Sequence, residues 1–345
     1  MNVHSKYMSR CIQLAQQGAG FVAPNPMVGA VLVYEEKIIG EGYHQQYGGP
    51  HAEVNCIESV KEEDKNLIPN STLYVSLEPC AHFGKTPPCS DLIIRNKIHK
   101  VIIGCRDPFK EVDGKGIEKL RSAGVEVELG VLENECRELN KRFFIFHTEH
   151  RPYIILKWAQ TADDKIASAT NERLLISNEY TNRLVHKWRS EEASIIVGTN
   201  TALLDDPELT NRYWSPPSPV RLVVDMDLSL PRSLKLFDQK NKTIVFNAVK
   251  QDELENLLYY HVTTDVSLVH QLLNALYQLK ISSVLVEGGA KLLQSFIDEE
   301  LWDEIRVIKN EELIINNGLQ TPLFNSANPV SQIKIESDTV STYYH

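Results

Sequence analysis

Three side chains suited to zinc, His51, Cys80 and Cys89, stand close together in the first third of this chain. One imidazole and two thiolates form a borderline-to-soft donor set, and a zinc held by three protein ligands keeps a fourth position for water. Glu53 lies two residues beyond His51, in the run Pro50-His51-Ala52-Glu53. Proline is accepted in a first helical turn, so a helix starting near Pro50 would let His51 and Glu53 reach one pocket mouth. A carboxylate there can take a proton from activated water and pass it to a leaving group. The competing arrangement is a closed structural zinc site with His82 as fourth ligand, which would leave Glu53 without a task. A Cys80–Cys89 disulfide is a third arrangement, and it does not suit a cytosolic chain.

His-x-Glu followed by Pro-Cys and a second cysteine is the pattern of zinc-dependent base deaminases. Here the second half carries a longer loop. The run Glu78-Pro79-Cys80-Ala81-His82-Phe83-Gly84-Lys85-Thr86-Pro87-Pro88-Cys89 resembles the deaminase half of the bifunctional riboflavin-biosynthesis deaminase/reductases, the RibD family. Asn25-Pro26-Met27-Val28-Gly29 and Gly42-Tyr43-His44 are similar to the same family's substrate-binding segments. The resemblance implies zinc on His51, Cys80 and Cys89, proton transfer by Glu53, and substrate contacts at Asn25, His44 and Lys85, the last toward a phosphate.

A second chemistry is written further on. Val284-Leu285-Val286-Glu287-Gly288-Gly289-Ala290-Lys291-Leu292 reads as an apolar strand running through two glycines into a helix. Glycines let a phosphate approach the backbone, and the helix start offers free N–H groups. A bare Gly-Gly turn is more often a tight turn than a nucleotide site. The order of motifs adds weight: Leu156-Lys157-Trp158-Ala159-Gln160-Thr161-Ala162-Asp163, Arg189, Gly198-Thr199-Asn200-Thr201, then Leu204-Asp205-Asp206-Pro207-Glu208-Leu209-Thr210-Asn211-Arg212. Together with the Glu287 turn they resemble the RibD reductase domain, which implies a dihydrofolate-reductase-like fold and NADPH. Carried over by position, Ala159, Leu175, Thr201, Asp205 and the run Gly289, Ala290, Lys291, Leu292, Leu293, Gln294 and Ser295 fall to NADPH. Arg173, Arg189, Leu209, Arg212 and Glu287 fall to the substrate, a pyrimidine ribosylamino phosphate. Guanidinium forks suit a sugar phosphate, although Arg189 on its spacing could equally face solvent. Lys157 sits in a strand expected to be mostly buried, where a lysine needs a reason. Protonating the ribose oxygen during reduction would supply one. The chain departs from the family at Asp164 (usually Gly), Arg173 (usually Ser), Leu175 (often Trp) and in an abbreviated tail after Asn310, which places a weakened or inactive reductase beside the main reading.

Composition narrows the field. With 36 Lys and Arg against 46 Asp and Glu, the net charge is −10. No basic run suggests a nucleic-acid partner, which opposes a tRNA or nucleoside deaminase. A zinc-stabilised binding protein without activity would leave Glu53 idle. Six cysteines without regular spacing do not make a disulfide framework. The start lacks the apolar core of a signal peptide, and no apolar run approaches membrane-spanning length. The expectation is a soluble cytoplasmic enzyme without nucleic-acid or membrane partners. A homo-oligomer, dimer or tetramer, accompanies the resemblance.

The elements that must position these residues alternate along an α/β chain. At 345 residues it suits two domains: a cytidine-deaminase-like three-layer domain over 1–147, a hinge at 148–151, and the reductase over 152–345. In the first, helices are predicted over 2–17, 51–60, around 91–94, 116–122 and 133–146, with strands over 28–34, 37–42, 71–77, 100–104 and 125–129. Val54, Ile57 and Val60 should face inward from the helix at 51–60. Cys11, Cys56, Cys105 and Cys136 read as packing residues. In the second, strands are predicted over 153–159, 194–197, 220–225, 243–246, 283–286 and 304–308, with helices over 178–188, 268–279 and 290–297.

Overall fold

The chain divides into two units, Met1–His150 and Arg151–His345. The computed structural model describes residues 3–83, 87–170, 174–325 and 328–345, so Lys85 and Arg173 lie outside the described residues.

The first unit runs α1 (Val3–Ala15), β1 (Gly29–Tyr34), β2 (Lys37–Tyr43), α2 (Ala52–Glu58), β3 (Thr72–Leu77), α3 (Cys89–Arg95), β4 (Lys100–Cys105), α4 (Lys115–Ser122), β5 (Glu126–Leu129), α5 (Glu133–Leu139) and α6 (Lys141–Thr148). The sheet order is β2-β1-β3-β4-β5, with β1 antiparallel to both neighbours and β3, β4 and β5 parallel. Strand alternation decides the layers. Ala30 and Leu32 join Ala52, Cys56, Ile93 and Leu120 on one face. Val31 and Val33 join Met8, Cys11, Phe143 and Phe144 on the other. Helices therefore cover both faces, giving three layers. Cys11, Cys56, Cys105 and Cys136 are fully buried, as their apolar settings predicted.

Two expectations are corrected. The helix predicted over 133–146 is broken at Asn140, whose side chain donates to the Met27 carbonyl and accepts from the Met27 N–H, both at 2.8 Å. Asn140 thereby tethers the segment carrying Asn25. The buried side of α2 is Ala52, Glu53 and Cys56, while Val54 and Ile57 are only half-buried. The helix turns this way because β2 approaches it through glycine: a Cβ at Gly42 would stand 2.3 Å from Cys56 N, and one at Gly40 would stand 2.5 Å from Cys56 O.

The second unit runs β6 (Tyr153–Gln160), β7 (Lys165–Ser168), α7 (Glu179–Glu191), β8 (Ser194–Gly198), α8 (Thr199–Asp205), β9 (Val220–Val224), β10 (Thr243–Asn247), β11 (Asp252–Leu254), β12 (Leu257–His261), α9 (Leu268–Gln278), β13 (Ser283–Val286), α10 (Ala290–Asp298), β14 (Glu304–Asn310), β15 (Gly318–Gln320), β16 (Ser331–Ile335) and β17 (Asp338–Tyr344). Ten strands form one sheet in the order β11-β12-β10-β9-β8-β13-β6-β14-β17-β16. The run from β12 to β14 is parallel, and β11, β17 and β16 pair antiparallel at its two margins. Its central strands are buried on both faces, so Val284, Leu285 and Val286 read as a continuous apolar run. β13 arrives late in the chain yet inserts between β6 and β8. That reversal of order brings Glu287, Lys157 and Gly198 together toward the carboxyl ends of three neighbouring central strands, the place where parallel sheets bind ligands.

The segment after Asn310 is not a bare end. β15 pairs with β7, and β16 and β17 extend the sheet. Asp164 occupies the left-handed region at φ 58°. Its carboxylate accepts from Gln160 at 2.7 Å and Lys309 at 2.9 Å, the kind of local bonding that lets Asp hold such a position.

Candidate functional site

The first site is built by three element ends. His51 is the residue before α2, extended at ψ 166°. Cys80 follows β3, and Cys89 opens α3 directly after Pro88. Cys80 Sγ and Cys89 Sγ lie 3.6 and 3.4 Å from His51 Nδ1. All three ligand atoms fall within 4.8 Å of one another. A tetrahedral zinc with ordinary Zn–S and Zn–N bonds needs sulfur–nitrogen edges of about 3.5 Å. The residues present therefore fit zinc without rearrangement. The His82 four-ligand arrangement is not formed among the described residues, where only His51, Cys80 and Cys89 cluster, and the cysteines are free thiols.

Electrostatics favour a cation in this pocket. The hydrogen bond from Cys89, with His51 beside it, holds the Cys80 thiol down to about 4. Cys80 in turn raises His51 to about 9. A thiolate with a proton on the neighbouring imidazole is a site that already takes one positive charge, and a metal would take that role. Glu53, in the first turn of α2, is 3% exposed, and burial raises its carboxyl above the usual range. A base tuned upward is suited to moving protons near neutral pH. His44 donates from Nδ1 to the Pro50 carbonyl at 2.9 Å, so its Nε2 accepts the Asn25 amide at 3.0 Å. Burial keeps that ring neutral. Asn25, His44, His51 and Glu53 thus belong to one linked wall.

The second site gathers at the ends of β6, β8 and β13. Arg189 on α7 donates to both Glu287 oxygens, at 2.9 and 2.6 Å, and Lys157 Nζ lies 3.9 Å from Glu287. With a side chain only 16% exposed, Arg189 is not a solvated face. Burial pushes the Glu287 carboxyl up, but Arg189 and Lys157 outweigh it and hold it down to about 2. Burial lowers Lys157, against the pull of Glu287. Thr201 accepts the Gly289 N–H at 2.9 Å, joining α8 to the turn before α10. Gly288 sits at φ 139°, a conformation closed to other residues. A Cβ at Gly198 would meet nothing within 4 Å, and one at Gly289 would meet only Thr201 Oγ1. This glycine floor, with the start of α10 behind it, fits a dinucleotide phosphate. Ala290, Lys291, Leu292, Leu293, Gln294 and Ser295 form the first turns of α10. Ala159 is the last residue but one of β6, and Asp205 ends α8. Leu209 is buried at φ 52°, Leu175 is 76% exposed, and the Arg212 side chain is half exposed.

Two residues to which the sequence assigned no role join these sites. His186, fully buried one turn before Arg189, lies 3.2 Å from the Arg212 guanidinium. Glu78 is buried beside Cys80 and accepts only backbone N–H groups. His186 falls within the predicted helix over 178–188 with no feature of the sequence to single it out. Glu78 stands in the Glu78-Pro79-Cys80 run, and its position as a charge at the end of an apolar strand is the signal of a buried partner.

Residues 1–105 match the family described as cytidine and deoxycytidylate deaminase zinc-binding region, and residues 152–311 match the RibD C-terminal domain. The riboflavin biosynthesis protein RibD of Aquifex aeolicus is 43% identical over 310 residues, covering 88% of this chain and 86% of that relative. RibD of Actinobacillus pleuropneumoniae is 38% identical over 327 residues, covering 92% and 86%. A diaminohydroxyphosphoribosylaminopyrimidine deaminase/5-amino-6-(5-phosphoribosylamino)uracil reductase from Thermotoga maritima superposes with a TM-score of 0.88 at 37% identity, covering 99% of this chain and 98% of that one.

Proposed function

This chain belongs to the RibD family of bifunctional riboflavin-biosynthesis enzymes, and from that premise we propose how its residues divide the work. It is a zinc-dependent deaminase joined to an NADPH-dependent reductase acting on a small molecule. The deaminase function belongs to residues 1–147 and the reductase function to 152–345. The substrate is 2,5-diamino-6-(5-phosphoribosylamino)pyrimidin-4(3H)-one, and the deaminated product, 5-amino-6-(5-phosphoribosylamino)uracil, is reduced from ribosyl to ribityl.

The observation that carries the first reaction is the His51, Cys80 and Cys89 cluster with buried Glu53 beside it. Zinc held there supplies the Lewis acidity that makes water nucleophilic near neutral pH. Glu53 takes the proton of the attacking water as the C–O bond forms. It returns that proton to the amine as the C–N bond breaks and ammonia leaves. Asn25 and His44 hold the pyrimidine, and Lys85 meets the phosphate.

For the second reaction NADPH supplies the hydride, with Ala159, Leu175, Thr201, Asp205 and the residues from Gly289 to Ser295 as its binding surface. Lys157, poised beside Glu287, delivers the proton to the ribose oxygen as the ring opens. Glu287, Arg189, Leu209, Arg212 and Arg173 hold the substrate. The protein works as a soluble cytoplasmic homo-oligomer, without nucleic-acid or membrane partners. The net charge of −10 supports the part of this reading that concerns nucleic acid. Ammonia release and NADPH oxidation on the diaminopyrimidine substrate test the assignment together. Absence of either from zinc-loaded protein would remove that half.

A further inference from the structure

The carboxylate of Glu78 has no part in either reaction, yet it is 4% exposed and fully engaged. Its Oε2 accepts from the N–H groups of Asp107 at 3.3 Å and Gly114 at 3.0 Å, and its Oε1 from those of Gly116 at 3.0 Å and Ile117 at 3.2 Å. Gly114 is the residue capping α4, and Gly116 and Ile117 lie in its first turn. A glycine cap has no side chain to satisfy those donors, so a carboxylate from the end of β3 does it instead. The backbone of the next residue is held by the same helix: a Cβ at Gly116 would come within 2.0 Å of the Pro79 carbonyl. Cys80 comes next. Its Sγ accepts the Cys89 N–H at 3.3 Å, and its carbonyl accepts the Ser90 N–H at 3.1 Å. The ligand thus hangs between two helix starts, α3 through its own atoms and α4 through Glu78 and Pro79.

We propose that Glu78 is a positioning residue of the zinc centre: by clamping the first turn of α4 it fixes Cys80 at its ligand corner, and metal retention depends on that clamp. The proposal rests on zinc binding by His51, Cys80 and Cys89, which the zinc content of the unaltered enzyme checks separately. A glutamine would have to turn an NH2 toward one pair of backbone donors, leaving both unsatisfied beside a like partner. Supporting residues of metal ligands, when altered, typically weaken binding about 10- to 100-fold.

The test uses the full chain loaded with zinc, and separately with cobalt. Zinc release to a chromophoric chelator should be about 10- to 100-fold faster in Glu78→Gln, and the thiolate-to-cobalt absorption band should shift. Glu78→Asp, which keeps the charge but retracts it, should fall between. Asp225→Asn is the control, because Asp225 is also buried and accepts the N–H groups of Ser229 and Leu230, but in the second unit. It should leave zinc release unchanged. Wild-type release and an unshifted cobalt band in folded Glu78→Gln would overturn the proposal. So would insolubility of both Glu78 variants, which would make Glu78 a residue of the fold rather than of the metal centre. Loss of zinc from the unaltered enzyme would instead sink the zinc reading itself.

Discussion

Gly42 opens the Gly42-Tyr43-His44 segment but brings no side chain to the reaction, and replacing it with alanine should nonetheless disable the deaminase. The added Cβ would stand 2.3 Å from Cys56 N, 2.6 Å from Asn55 C and 2.8 Å from Ala52 O, all backbone atoms of α2. Ordinary contact begins near 3.4 Å, and backbone atoms cannot swing aside, so α2 must retreat by about 1 Å at the cost of about 1–3 kcal/mol. His51 caps that helix and Glu53 sits in its first turn, so ligand and base retreat with it. A misplacement of about 1 Å can cost about 10²-fold in rate. The assay is ammonia release from the diaminopyrimidine, with zinc content measured alongside and NADPH oxidation of the deaminated substrate as internal reference. Ammonia release should fall about 10²-fold while NADPH oxidation is kept. Deamination at the wild-type rate would refute the reasoning that the β2 glycines set the position of α2.

Other outcomes follow from the second unit. Arg189→Leu leaves Glu287 buried with Lys157 alone. Against an ordinary carboxylate, a pKa held down to about 2 corresponds to about 3 kcal/mol at neutral pH. That contribution is present above about pH 4.5 and is lost as pH falls toward 2. All four tryptophans lie in the second unit, so the midpoint of fluorescence-detected denaturation reads it alone, and an unchanged midpoint at pH 7 would count against the pair. Burial, with Arg189 and Arg212 nearby, lowers His186 to about 4. The unfolded chain then binds the extra proton first, so the His186 contribution to the stability of this unit should fall as pH drops from about 6.5 to 4 and level off below, where the loss from Glu287 takes over. His186→Gln should lack that slope in the same fluorescence assay. A slope identical to wild type would assign it to other groups.

Local chemistry was legible and remote pairing was not. Apolar runs and proline-glycine punctuation predicted the strands of the first unit, and β6, β8, β9, β10, β13 and β14 of the second, to within a few residues, but not β7, β11, β12 or β15. The zinc ligands were legible because their residue types admit few alternatives. The break at Asn140 was not, because Asn140 leaves the helix to bond Met27, far away in sequence. The inner face of α2 was misjudged because the closeness of β2, set by Gly40 and Gly42, buries Glu53 where periodicity favoured Val54. β16 and β17 went unseen because their side chains are largely polar and their order comes from pairing, β17 with β14 and β16 with β17. Glu78 and His186 act on partners that only the fold supplies. Leu175 and Arg212 were named through family resemblance, and their exposure alone would not have singled them out.

The central claim is that two independent chemistries share this chain, with proton transfer in the first carried by Glu53. The most direct measurement takes one preparation of Glu53→Gln, confirms its zinc, and records ammonia release from the diaminopyrimidine and NADPH oxidation on the deaminated substrate. The amide keeps the shape but cannot carry the proton, so ammonia release should fall by about 10²- to 10⁴-fold. NADPH oxidation should match the unaltered enzyme. Ammonia release at a rate close to wild type would show that another group moves the proton, and loss of NADPH oxidation in the same sample would show that the two halves are not independent.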